Sequence, residues 1–182
     1  MIAVLLALTL AAAPEAPIQR IVVDGELKVE VLVGKRRSVE AAGPGIEVVG
    51  PKDGVLRLVA TAPADAPRGA APSPRGEGAR GTTRVYVDAA ALEVEALRGA
   101  HVRVLGERVA ALTLSAAQTS RLDASALFAK KLSVQARDAA RVRARGEDVL
   151  VRASRAAQVV LLGKPKTLEK SVADAARLSV EP

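Results

Sequence analysis

Five segments of the chain repeat one apolar pattern in one phase, and that phase limits what the chain can fold into. They begin at Leu92, Leu112, Leu132, Val149 and Leu168, in steps of 20, 20, 17 and 19 residues. Two positions on stand Val94, Leu114, Val134, Val151 and Lys170; four on stand Ala96, Ala116, Ala136, Ala153 and Val172. Ten on stand Val102, Leu122, Val142, Val159 and Leu178; twelve on stand Val104, Ala124, Ala144, Leu161 and Val180. The stretch LSVQARDAARVRAR, residues 132–145, is rich in Ala and Arg, both good helix formers. Its apolar residues nevertheless alternate with polar ones, which is a strand signal. No helix holds a period of two in one phase through five segments.

Each unit therefore reads as an alternating strand, a tight corner and a second alternating strand. The corners are small: Gly99-Ala100, Thr119-Ser120, Ala139-Ala140, Ala156-Ala157 and Ala175-Ala176. One such coil is too thin to bury its own apolar side. Stacking coils about 4.8 Å apart pairs their backbone edges and buries a continuous column. Each Leu or Val in that column contributes roughly 1.5–3 kcal/mol on burial. In the 17-residue unit the corner spacing is intact, so its missing residues must come from the far side, which Gly106, Gly146 and Gly163 punctuate elsewhere. The pattern predicts an all-β solenoid of about five rungs.

Before the repeats, RIVVDGELKVEVLVG and RSVEAAGPGIEVVGPKDGVLRLVA show short strands broken at Asp24-Gly25, Gly43-Pro44-Gly45, Gly50-Pro51 and Asp53-Gly54. This part reads as a less regular N-terminal β region. Residues 61–81, TAPADAPRGAAPSPRGEGARG, keep no apolar period and read as a flexible loop. The strand pattern resumes at once in TTRVYVDAAALEVEAL, so residues 18–182 are expected to form one domain.

The core must be aliphatic, because the chain has one Phe, one Tyr and no Trp. It also has no Cys, which excludes disulfides and a lipid-anchored cysteine. The apolar run Ile2–Leu10, followed by Ala11-Ala12-Ala13 and Pro14, reads as a signal peptide over residues 1–13. No Lys or Arg precedes that run. It is too short to span a bilayer. The mature chain is expected outside the cytoplasm, whether periplasmic, secreted or at the cell surface, with no transmembrane segment.

In its order of parts the chain resembles the head GIN domain family, whose members are described as auto-transporter adhesins by inference from context. The likeness lies in the opening strand pair, the DGVLRLV segment and the repeats, and runs from about Ile18 to Pro182. It departs at the corners. Where the family often has S-G-A-S-D, this chain has ALRGAHV, AAQTSRL, ARDAARV, ASRAAQV and VADAARL. The resemblance implies a right-handed parallel β-helix outside the cytoplasm and brings no catalytic residues.

The residues after the corner pairs are His101, Arg121, Arg141, Gln158 and Arg177, and two further on stand Arg103, Asp123, Arg143, Val160 and Ser179. Both columns alternate with inward Val and Leu, so both should face solvent. Like charges one rung apart repel by roughly 0.9 kcal/mol in water, and salt screens that further. A solvated face needs no purpose at so small a cost. The functional alternative is a binding face for an acidic glycan or cell-envelope polymer, carried by His101, Arg103, Arg121, Arg141, Arg143 and Arg177. The net charge of +7 permits this. Nucleic acid is not expected, because stacking aromatics are almost absent.

A lone His without Cys argues against a transition-metal site. Ser115, Ser120, Ser125 and Asp123 lie near His101, but no G-x-S-x-G elbow occurs. Parallel β-helices also host polysaccharide-cleaving enzymes, which need close carboxylates. Asp138 and Asp174 share a corner column two rungs apart with Arg155 between them, which predicts plain ion pairs. The reading is therefore a non-catalytic structural or adhesin-like surface protein without cofactor. An anionic-polymer binder is the alternative, and a glycan-cleaving enzyme the third possibility.

Overall fold

The computed structural model describes residues 17–40, 45–61 and 81–182. Those residues form thirteen strands and no helix. In chain order they are β1 (Arg20–Asp24), β2 (Lys28–Val33), β3 (Ser38–Glu40), β4 (Ile46–Lys52), β5 (Val55–Ala60), β6 (Thr82–Val87) and β7 (Ala91–Leu97). Then follow β8 (His101–Ala116), β9 (Arg121–Ala136), β10 (Arg141–Ala153), β11 (Gln158–Leu162), β12 (Thr167–Val172) and β13 (Arg177–Glu181).

The pairing is mostly parallel, and its register follows the sequence columns. Leu92 pairs with Leu112, Leu112 with Leu132, Leu132 with Val149 and Val149 with Leu168. On the other side of the corners, Val102 pairs with Leu122, Leu122 with Val142, Val142 with Val159 and Val159 with Leu178. The three-residue deficit of the short unit falls on the far side, where Ala144 pairs with Ala124 and the next residue, Arg145, pairs with Phe128.

The N-terminal strands extend the same two ladders, and the departures from the regular pattern there are β3 and β4, which pair antiparallel. β1 pairs in parallel with both β5 and β7, and β2 with both β6 and β8. Ile21 and Val23 thus stand in the column of Val94 and Ala96, and Val29 and Val31 in that of Val102 and Val104. Each ladder is seven strands deep among the described residues, β5-β1-β7-β8-β9-β10-β12 and β6-β2-β8-β9-β10-β11-β13, rather than five. Antiparallel β4 and β3 close one end, on β5 and β6 respectively. On the far side β8, β9 and β10 run through as single strands, with the register shifting where they pass it.

The core is one aliphatic column from Ile21 to Leu161, with Leu56, Leu58, Val85 and Val87 at its closed end. Phe128 lies outside it, between the guanidinium groups of Arg108 and Arg145 at 5.0 and 5.6 Å from its ring centre. Gly146 is required by close approach: a Cβ there would fall 2.8 Å from Leu132 Cβ.

The corners show why their residues are small. Each is a four-residue turn closed by an N–H···O=C bond, as from Ala140 N to Arg137 O at 3.2 Å. Both central residues have positive φ: Arg98/Gly99, Gln118/Thr119, Asp138/Ala139, Arg155/Ala156 and Asp174/Ala175. That is the type I′ signature, costly for non-glycine residues. Stacking compensates, since each turn donates to the next: Thr119 N to Asp138 O at 3.0 Å, Ala139 N to Arg155 O at 2.9 Å, and Ala156 N to Asp174 O at 2.8 Å. The residue after each central pair points inward, so Ala100, Ser120, Ala140 and Ala157 are fully buried. Ser120 satisfies its hydroxyl by donating to Ala96 O at 2.9 Å. Ala140→Leu should therefore overpack the column between Ser120 and Ala157 and cost about 1–3 kcal/mol in denaturant melts.

The loop at 61–81 joins β5 to β6, the place of a four-residue corner elsewhere in the stack. All of it but Thr61 and Gly81 lies outside the described residues, as does the segment 1–13 whose sequence reads as a signal peptide. No helix among the described residues is long and apolar enough to cross a membrane.

Candidate functional site

The register brings the predicted basic residues onto one face. Across the strands, Lys28 pairs with His101, His101 with Arg121, Arg121 with Arg141, Arg141 with Gln158 and Gln158 with Arg177. All six are exposed, because each precedes a residue of the inward column, buried as at Val29, Val102, Leu122 or Val142 and partly buried at Leu178. Two residues along the strands runs a second column, Arg84, Glu30, Arg103, Asp123, Arg143, Val160 and Ser179. Lys28, His101, Arg103, Arg121, Arg141 and Arg143 line one open groove of about 520 Å³. Arg177 lies beyond it on the same column.

Sequence reasoning missed Lys28 as a member. Its unit opens on Gln19 instead of Leu, and it stands out of chain order in the stack, so no fixed step from Leu92 reaches it.

The charges on this face are unevenly compensated. In the second column Glu30 accepts from Arg84 at 3.2 Å, and Arg143 lies 3.6 Å from Glu181. Asp123 Oδ1 accepts the Ser125 backbone N–H at 3.0 Å. In the first column Lys28, Arg121, Arg141 and Arg177 have no carboxylate partner among the described residues, nor has Arg103. Elsewhere some arginines are paired, Arg20 with Glu95 at 2.7 Å, Arg98 with Asp24, and Arg155 with Asp138 at 3.2 Å, while Arg108 and Arg145 instead flank the Phe128 ring. Arg155 takes only one of the two corner carboxylates, for Asp174 makes no ion pair among the described residues. No group of three or more His, Cys, Asp or Glu that could hold a metal occurs among them.

No family model matches the chain. No curated protein matches it either. Among solved structures it is similar to a putative adhesin from Bacteroides fragilis, at 10% identity and TM-score 0.46, covering 91% of this chain and 92% of that one. A putative cell adhesion protein from Clostridium sporogenes is similar at 11% identity and TM-score 0.37, covering 93% and 95% respectively.

The first column can hold anions by direct charge and hydrogen bonding. Arg offers a planar fork for a carboxylate, Lys a point charge. His101 adds a proton that this setting resists. Partial burial is the main cause lowering its pKa, followed by the positive charges of Arg121 and Lys28, with Glu26 acting in the opposite direction. The unfolded His binds its proton near pH ~6.5 and the folded one only at lower pH. His101 thus favours the fold above pH ~6.5, and that contribution fades as the pH falls through its folded pKa. The parent should lose slightly more stability between pH ~7 and ~5 than His101→Gln, as measured by thermal melts at low salt. Identical pH profiles would contradict this.

Proposed function

We propose that this chain is a right-handed parallel β-helix serving as a non-catalytic, adhesin-like surface protein outside the cytoplasm. The observation that carries the reading is the repetition of outward columns over seven stacked strands, a flat periodic surface resting on a continuous core. The extracytoplasmic placement is supported by the apolar run and Ala-rich site at residues 2–13. Beads coated with the full chain should be retained on an array of envelope and host glycans. Retention on none of them would leave a structural role only.

A second reading, binding of an anionic polymer, is favoured by one observation, the unpaired column Lys28, Arg121, Arg141 and Arg177. Arg121, Arg141 and Arg177 changed together to Gln should leave the melting temperature unchanged or slightly raised, while acidic-glycan binding weakens and its salt dependence flattens. Lys130, Lys131 and Lys164 are exposed residues off the groove, so their change to Gln is the matched control. Equal losses in both variants would mean that net charge alone governs binding.

A further inference from the structure

From the placement of His101 between Lys28 and Arg121 on three consecutive parallel strands, we propose that the basic groove is a pH-gated anion site: a neutral His101 interrupts its column of cations, and acid makes that column continuous and its hold on a polyanion tighter. The proposal rests on the anionic-polymer reading and adds how that site is regulated.

Lys28, His101, Arg121 and Arg141 stand in direct register, about 4.8 Å from one to the next. Lysine and arginine carry their charge throughout the physiological range, whereas histidine ordinarily gains or loses its own between pH ~5 and ~8. The second column offers no such change of balance. Over the same four strands it alternates acid and base, as Glu30, Arg103, Asp123 and Arg143. The net charge along the groove is therefore set by the first column, and His101 is the position there that acid alters.

The groups facing His101 are Lys28 and Glu30 of β2, Glu26 just ahead of β2, Arg121 and Asp123 of β9, and Arg103 of its own strand. Glu30 is engaged by Arg84, Asp123 by the Ser125 N–H, and Arg98 of the preceding corner by Asp24. Partial burial, then the charges of Arg121 and Lys28, hold the imidazole pKa below its ordinary value, and Glu26 opposes them. At pH ~7 the column thus has a gap one strand wide. A polyanion laid across Lys28 and Arg121 cancels the two charges that resist the proton, so proton and polyanion each favour the other. Once protonated, the ring offers two N–H donors in place of one.

The test uses a dextran sulfate oligosaccharide, whose sulfate esters stay ionised across this range, in calorimetric titrations of the full chain at low salt. The parent should bind about two- to fivefold more tightly at pH ~5 than at pH ~7, the worth of one exposed charge contact. His101→Gln should show no such rise, and His101→Lys should bind at both pH values about as the parent does at pH ~5. His101 is the chain's only histidine, so its imidazole protons give one unambiguous titration by NMR. Saturating polyanion should move the midpoint of that titration up by about 0.3–0.7 pH units, the reciprocal of the affinity gain. Equal affinity at the two pH values, an unmoved midpoint, or the same rise in His101→Gln would overturn the gate and leave the anionic-polymer reading standing. No binding at either pH would overturn both.

Discussion

Leu132→Asp should lower the unfolding free energy by about 3–5 kcal/mol, as an unpaired charge placed in a closed apolar column does. Leu132 is 2% exposed. It stands in register between Leu112 and Val149, and its Cβ is where a side chain on Gly146 would have to go. The carboxylate would find neither a cation nor water there. The loss is a large part of the ~5–15 kcal/mol that holds a domain of this size together. Lys131→Asp, one residue away and exposed, should cost almost nothing. Chemical denaturation of both variants checks the phase of the repeat. If Leu132→Asp melted within a degree or two of the parent, the inward column would be misassigned.

Lys170→Val should turn the chain into a larger species in sedimentation runs, with mass rising with concentration. Lys170 pairs with Val151 and so occupies a position that is apolar in the units beginning at Leu92, Leu112, Leu132 and Val149. β12 is the last strand of its ladder among the described residues, and Val172 and Val180 beside this end are 40% and 46% exposed. A strand edge with free backbone groups and apolar neighbours invites pairing with another chain. A charge in the inward register blocks it, because a further rung would bury an ammonium without a partner. Removing the charge leaves Leu168 and Val172 in one apolar strip. An unchanged mass would show that Lys170 does not guard this end.

The units from Leu92 onward were legible because the period of two survives in each and the steps between them are nearly constant. Strand register then followed residue by residue, as did the exposure of Arg121, Arg141 and Arg143. The rung made by β1 and β2 was not legible. Its turn signal, Asp24-Gly25, reads as an ordinary hairpin turn, and its place between β5–β6 and β7–β8 depends on pairing that sequence order does not reveal. Lys28 was missed with it. The smallness of the corners was visible but its cause was not, because Gln118, Thr119 and Arg155 are unusual residues for the left-handed turn they adopt. The stacked N–H···O=C bonds that hold them there exist only in the assembled column.

Cysteine cross-linking gives the most direct test of a stack that places Arg121 beside Arg141. The chain contains no cysteine, so every disulfide formed would be an engineered one. Arg121→Cys with Arg141→Cys puts two thiols on neighbouring strands in register, about 4.8 Å apart at Cα and within the 4.4–6.8 Å range that a disulfide bridges. His101→Cys with Arg141→Cys puts them two strands apart, near ~9.6 Å and out of reach. Under mild oxidation of the dilute protein, the first pair should close within one chain and the second should not. Closure of the second pair, or failure of the first while the variant remains folded, would contradict the register on which the fold and the basic column both rest.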